Sequence, residues 1–260
     1  MAHRLLPSVS SGRAAPRALA RPRTLACTLV LACALLGGCT GGNTVGGGAD
    51  PYSKAYTARD INPNPSILNN AIVKNSDLTG LRLNNVVLKD MTFYNTTSRG
   101  AEFKNVVFDN CRLINAKFNN AVLENVTFKG GVITCENDAS NIAARTAFTN
   151  SRFVNLTLDA TYIENPLFSG NNGSLTIRNA HHVIAAQPLV RGASISLTLQ
   201  NSLFRNMTIA EVTGDSSLTA TGCTFEYAHF GNSAFARTNV SRNITYGMSM
   251  PRPRSPRARR

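Results

Sequence analysis

A period of five residues constrains this chain more than any other feature. From Leu68 to Phe168, every fifth residue is a candidate core position, and 19 of these 21 positions are apolar. Ser98 and Asp138 are the two exceptions. At the chain's overall apolar content of 43%, chance would supply about nine. Helices repeat at 3.6 residues and strands at 2, so neither alone yields five. A short fixed period instead marks a solenoid, in which each turn of chain stacks on the last.

The stretch FDNCRLINAKFNNAVLENVTFKG, residues 108–130, shows the rules most clearly. Phe or Leu stands at 108, 113, 118, 123 and 128, and Asn follows two residues later at 110, 115, 120 and 125. Small or apolar residues such as Ala101, Val106, Cys111, Ala116 and Ala121 precede each centre by two. Positions beside the centre are mixed and polar, as at Arg82, Lys89, Glu102, Lys104 and Glu124.

The units AEFKN (101–105), CRLIN (111–115), AKFNN (116–120) and AVLEN (121–125) resemble the pentapeptide-repeat family. The resemblance implies an all-β fold, a right-handed quadrilateral β-helix in which four pentapeptides form one square coil. Residues 20 apart would then stack. The centre and the residue two before it would point inward, and Asn or Gly at the corners would accept unusual backbone angles. About seven coils are expected, with an irregular excursion near 171–194, where the phase is lost. Centres resume, shifted, at Leu199, Phe204 and Ile209, and again at Phe225, Phe230, Phe235 and Val240.

Stacking by twenty predicts interior columns. Leu88, Phe108, Phe128, Phe148 and Phe168 should form one core ladder, with Leu68 beneath them. Val73, Phe93, Leu113, Ile133 and Phe153 should form another. Leu78, Ser98, Phe118, Asp138 and Leu158 should form a third. A buried, unpaired carboxylate is costly, so Asp138 should lie in an outward bulge.

The N-terminus reads as a targeting segment. Arg13, Arg17, Arg21 and Arg23 precede the apolar run from Leu25 to Gly38. That run is short for a transmembrane span and suits a signal-peptide core. It ends in Leu36-Gly37-Gly38-Cys39, which resembles the bacterial lipoprotein signal. The resemblance implies cleavage between Gly38 and Cys39 and lipidation of Cys39, which would anchor the protein in a membrane. Two or three acyl chains make such an anchor durable where one does not. The glycine-rich run 40–49 would act as a flexible tether. The expected organisation is a signal peptide over 1–38, lipidated Cys and tether over 39–49, an N-terminal cap over 50–65, the β-helix over 66–250 and a disordered basic tail over 251–260. Asp50-Pro51 could open a short helix in the cap. Thr40 in place of Asp after the Cys leans toward the outer membrane in a Gram-negative cell.

Charge position excludes one class of function. Of the 27 Lys and Arg, five stand in residues 1–38 and five in 251–260, which leaves 17 against 14 acids in the body. A nearly balanced body offers no footprint for nucleic acid. The family branch that protects DNA gyrase mimics acidic DNA, and this weakly basic, exported chain departs from it. Cys27 and Cys33 would leave with the signal, so Cys111, Cys135 and Cys223 remain, an odd set that argues against a full disulfide framework.

No nucleophile elbow, phosphate loop or metal-binding helix motif occurs. His181-His182 is the one His pair, and local spacing brings it no further ligands. No catalytic, cofactor or metal site is therefore expected. The leading expectation is a non-enzymatic, lipid-anchored envelope protein whose rigid coil stack binds a protein or an envelope polymer. A polysaccharide-active β-helix enzyme is the alternative, and would need His181, His182, Arg178 and Arg191 clustered over one face. A structural envelope spacer is the third reading.

Overall fold

The computed structural model describes residues 53–135, 145–185, 188–213, 215–231, 233 and 235–247. The signal segment, Gly38, Cys39, the tether, Asp50-Pro51, Asp138 and the basic tail lie outside these residues. The chain divides into two units, 1–47 and 48–260, and the described residues all belong to the second.

The second unit is an all-β parallel solenoid. Its strands form three sheets of ten, eight and six strands, and every strand pairing is parallel. One coil explains the architecture. The long strand Arg82–Lys89 covers two sides, because Asn85 at φ 50 turns it through a corner. Asp90 (φ 54) makes the next corner, Thr92–Tyr94 the third side and Asn95 (φ 51) the third corner. The fourth side follows, and Gly100 (φ 62) closes the square. A left-handed residue therefore recurs every five positions, through Asn105, Asn110, Asn115, Asn120 and Asn125. Asn tolerates this region better than other side chains with a Cβ, which is why it dominates the corners.

The corner amides also tie coils together. Asn105 Nδ2 donates to Asn85 Oδ1 at 2.8 Å, Asn125 to Asn105 at 3.0 Å, and Asn155 to Asn125 at 3.0 Å. Each of these Asn corners thus gains a hydrogen bond along the stack, worth about 1 kcal/mol where exposed.

Side chains at the centres fill the interior. Phe93, Phe103, Phe108, Phe118, Phe128, Phe148, Phe153, Phe168, Phe204 and Phe225 are all buried. Rings in one column stack, as for Phe108 and Phe128 at 4.5 Å. Rings in different columns meet edge-on, as for Phe103 and Phe118 at 5.9 Å. Both arrangements suit the ring quadrupole and add about 0.5–1.5 kcal/mol per pair beyond area burial.

The predicted ladder needs correction. Leu88, Phe108 and Phe128 do share a column, but Phe148 and Phe168 belong to the column of Phe118. The pairing offset is 20 residues before segment 136–144 and 30 across it, as between Asn125 and Asn155. Two extra pentads preserve the phase of five while shifting every later residue by two sides. Phe128 is therefore followed by Leu158, Ile133 by Ile163, and Leu123 by Phe153. Ser98 does lie between Leu78 and Phe118, fully buried.

The predicted excursion near 171–194 is a coil. Asn172–Arg178 pairs with a long strand on each side, and Val183–Ile184 and Pro188–Arg191 continue in the other two sheets. What breaks the period is corner length. Offsets fall to 19 residues at Leu156↔Leu175 and rise to 22 at Phe168↔Val190. The long-strand sheet thus has eight strands, one more than the expected number of coils.

The N-terminal end is closed. Thr57 donates from its N–H and its hydroxyl to the Asp60 carboxylate, both at 2.8 Å, and starts the helix Ala58–Ile61. A 3-10 turn, Pro65–Leu68, follows. Ile61 and Leu68 are buried at the head of the core, as a solenoid cap requires.

Candidate interaction surface

The four residues of the alternative enzyme reading fall on different sides. Arg178 is on the long-strand sheet, His182 precedes a strand of the ten-stranded sheet, and Arg191 is on the six-stranded sheet. Arg178, Arg191 and His182 each have their own structural partner. Arg178 binds Asp159 at 2.9 Å, and Asn179 donates to the other oxygen of that carboxylate at 2.8 Å. Burial pushes the Asp159 carboxyl up, but these two donors outweigh it and hold the group below its ordinary value. Arg191 grips Glu211 through two nitrogens at 3.0 and 3.3 Å. The His182 ring stacks on Tyr162 at 4.1 Å, and burial lowers its proton affinity. His181 is exposed. The structure does not bring these residues together.

Three further ion pairs join coil to coil. Arg82 faces Glu102 at 3.5 Å, Lys104 faces Glu124 at 3.1 Å and Arg205 faces Glu226 at 2.8 Å. Pairs this exposed contribute at most about 1 kcal/mol each. Their main effect is to neutralise the sides of the stack. Among the described residues, no group of three or more His, Cys, Asp or Glu could hold a metal ion. Among them, too, no helix is long and apolar enough to cross a membrane. Cys111 and Cys223 are buried thiols and Cys135 is half-buried, all three free. Burial pushes the Cys111 thiol up to about 11.

One polar seam escaped the sequence reading. Where the chain returns from segment 136–144, Arg145 is completely buried. Its Nε donates to the carbonyl of Asn165 at 2.7 Å, and its Nη2 donates to the carbonyls of Pro166 and Pro188, the latter at 3.4 Å. Lys117 Nζ donates to the carbonyl of Arg145, and burial lowers the Lys117 ammonium to about 8. Arg145 occupies a phase position where Asn or Gly is the rule, and that mismatch was the available signal.

The two ends of the stack differ. In contrast to the capped N-terminus, the C-terminal coil finishes on strands with one neighbour each among the described residues, Arg237–Ser241 and Ile244–Tyr246. Every residue of both strands is exposed. Tyr227, Ile244 and Tyr246 stand 62%, 56% and 59% exposed on this end. Val240 continues the column of Ala220 but is itself exposed.

The family model for pentapeptide repeats matches residues 99–130, with 8 copies. This stretch is similar to pentapeptide repeats. In the structure the matched repeats run from the corner at Gly100 to the corner at Gly130, the most regular part of the stack. No curated protein matches the chain. Among solved structures, a trypsin-treated form of QnrB1, a plasmid-mediated fluoroquinolone resistance protein, aligns at 12% identity and TM-score 0.39, covering 70% of this chain and 86% of that one. HetL, a pentapeptide repeat protein involved in heterocyst differentiation regulation in the cyanobacterium Nostoc sp., aligns at 12% identity and TM-score 0.24, covering 70% and 85%.

Proposed function

We propose that this protein is a lipid-anchored bacterial envelope protein whose pentapeptide-repeat coil stack serves as a non-enzymatic binding or scaffold module. The observation that carries the binding reading is the contrast between sides and end. Five ion pairs join coil to coil along the sides, while among the described residues the last coil leaves strand edges and apolar side chains exposed. The anchoring reading rests on Leu36-Gly37-Gly38-Cys39 and the run of glycines after it, which would let the stack stand away from a bilayer. Thr rather than Asp at position 40 favours the outer membrane over the inner in a Gram-negative cell.

Crosslinking in intact envelopes, followed by recovery of this protein, tests the module. One defined protein partner is the expected result. Recovery of glycan alone, together with glycan turnover by the purified protein, would replace the reading with a polysaccharide-active enzyme.

A further inference from the structure

The last coil has an edge built for pairing. The N–H of Ile244 donates to Cys223 O at 2.9 Å, and Tyr246 O accepts from Tyr227 N–H at 2.8 Å. Both groups face back into the sheet. Along a strand, backbone groups alternate sides, so the N–H and C=O of Thr245 face the open edge. Arg237–Ser241 forms a second edge beside it, paired only to Ser217–Thr221 among the described residues.

Side chains around this edge have a consistent chemistry. Two interior columns turn polar at the last step, from Leu218 to Thr238 and from Phe225 to Thr245, while Ala220 is followed by Val240. The end is thus suited to water and does not present a raw core. Ile244, Tyr246 and Tyr227 remain exposed as apolar contacts. Between Tyr227 and Gly247 the sequence holds Arg237 and Arg242 and no Asp or Glu. On the previous coil Glu226 and Glu211 are bound by Arg205 and Arg191, and Asp215 lies two residues before Ser217, the register partner of Arg237.

We propose that the edges Arg237–Ser241 and Ile244–Tyr246 accept an extended, acidic segment of a protein partner, which adds as a further parallel or antiparallel strand. Main-chain hydrogen bonds to groups such as those of Thr245 supply the register, as in strand addition generally. Arg237 and Arg242 select carboxylates, and Ile244 and Tyr246 receive alternate apolar side chains. A second copy is the weaker occupant on charge. Meeting end to end would oppose Arg237 and Arg242 with themselves, and the capped N-terminal end offers Ile61 and Leu68 only as buried residues. This inference rests on the binding-module reading and names the partner's chemistry.

The test uses the mature full chain and two labelled peptides, acetylated and amidated, alternating Glu with Val or Lys with Val. Fluorescence anisotropy should show binding of the acidic peptide that weakens with salt, and none of the basic one. Thr245→Pro removes an outward donor and no inward one, and should weaken binding about tenfold. The pair Arg237→Glu and Arg242→Glu should do the same without touching the backbone, and so serves if the proline variant melts early. Equal binding of both peptides, binding of neither, or indifference to both sets of substitutions would overturn the proposal. So would a dimer in sedimentation that Thr245→Pro dissolves, which would make the occupant a second copy. If neither peptide binds but a crosslinked partner maps to the sides of the stack, the edge proposal falls and the binding module stands.

Discussion

Phe148 stacks on Phe118, ring centroids 4.8 Å apart and planes within 10°, although Phe128 stands exactly one coil's length before it in sequence. It meets Phe128 only edge-on at 6.4 Å. Two pentads between Ile133 and Phe148 moved the later chain by half a square without disturbing its phase. A double-mutant cycle on Phe118→Ala and Phe148→Ala should therefore give a coupling of about 0.5–1.5 kcal/mol. The same cycle on Phe148 and Phe225, whose ring contacts have no residue in common, should be additive within about 0.5 kcal/mol. Urea denaturation of the three single and two double variants and wild type measures both.

Gly173 takes the place of a core side chain between Phe153 and Ile195, at φ +109. A Cβ there would lie 1.8 Å from the carbonyl oxygen of Phe153. Both the backbone angle and the contact exclude any other residue. Gly173→Ala should cost about 3 kcal/mol or more, since the neighbouring strand must shift. Thermal unfolding followed by circular dichroism checks it. Gly80→Ala, where no atom lies within 4 Å, carries only the left-handed penalty of about 1 kcal/mol and is the control.

Ala160 breaks the corner rule in the opposite sense, holding φ 52 where Asn or Gly is usual. Its methyl group makes the left-handed region costly and its side chain offers no amide to the stack. Ala160→Gly should raise stability by about 0.5–1 kcal/mol. That corresponds to a melting temperature higher by about 1–4 °C for a unit of this size.

The square fold was legible because inward position, corner and phase each leave a separate mark on the residue type. Phe at 108 and 128, Ala at 101 and 121, and Asn at 105 and 125 identify interior and corner independently. Column membership was not legible. An insertion of whole pentads is silent in a pattern that repeats every five, and no residue type distinguishes one side of a square from another. Coil 171–194 was hidden for the converse reason. Corners there lose or gain residues, so the phase breaks while the strands persist. Arg145 was missed because its carbonyl partners at 165, 166 and 188 are distant in sequence. The open end could not be read either, since exposure of Ile244 and Tyr246 depends on what stacks above them.

Lys117 predicts a pH dependence. Its ammonium is lowered from 10.5 to about 8, chiefly by desolvation. The unfolded chain therefore holds the proton more tightly, and this residue makes stability rise between about pH 8 and 10.5. Below that window the charged, desolvated amine is a standing cost. Lys117→Met removes the titration, so its stability relative to wild type should be highest at pH 7 and should decline as pH approaches 10.5. Cys111 and Tyr162, raised to about 11 and about 12, act in the opposite direction in both proteins and cancel in the difference. Paired urea titrations at pH 7, 9 and 10.5 measure it.

We propose that Cys39 holds the coil stack at a membrane. Mass spectrometry of the mature protein, extracted from its native host, addresses it directly. The account predicts that the chain begins at Cys39 and carries acyl groups on that residue. A chain that begins elsewhere, with Cys39 absent or unmodified, would contradict it.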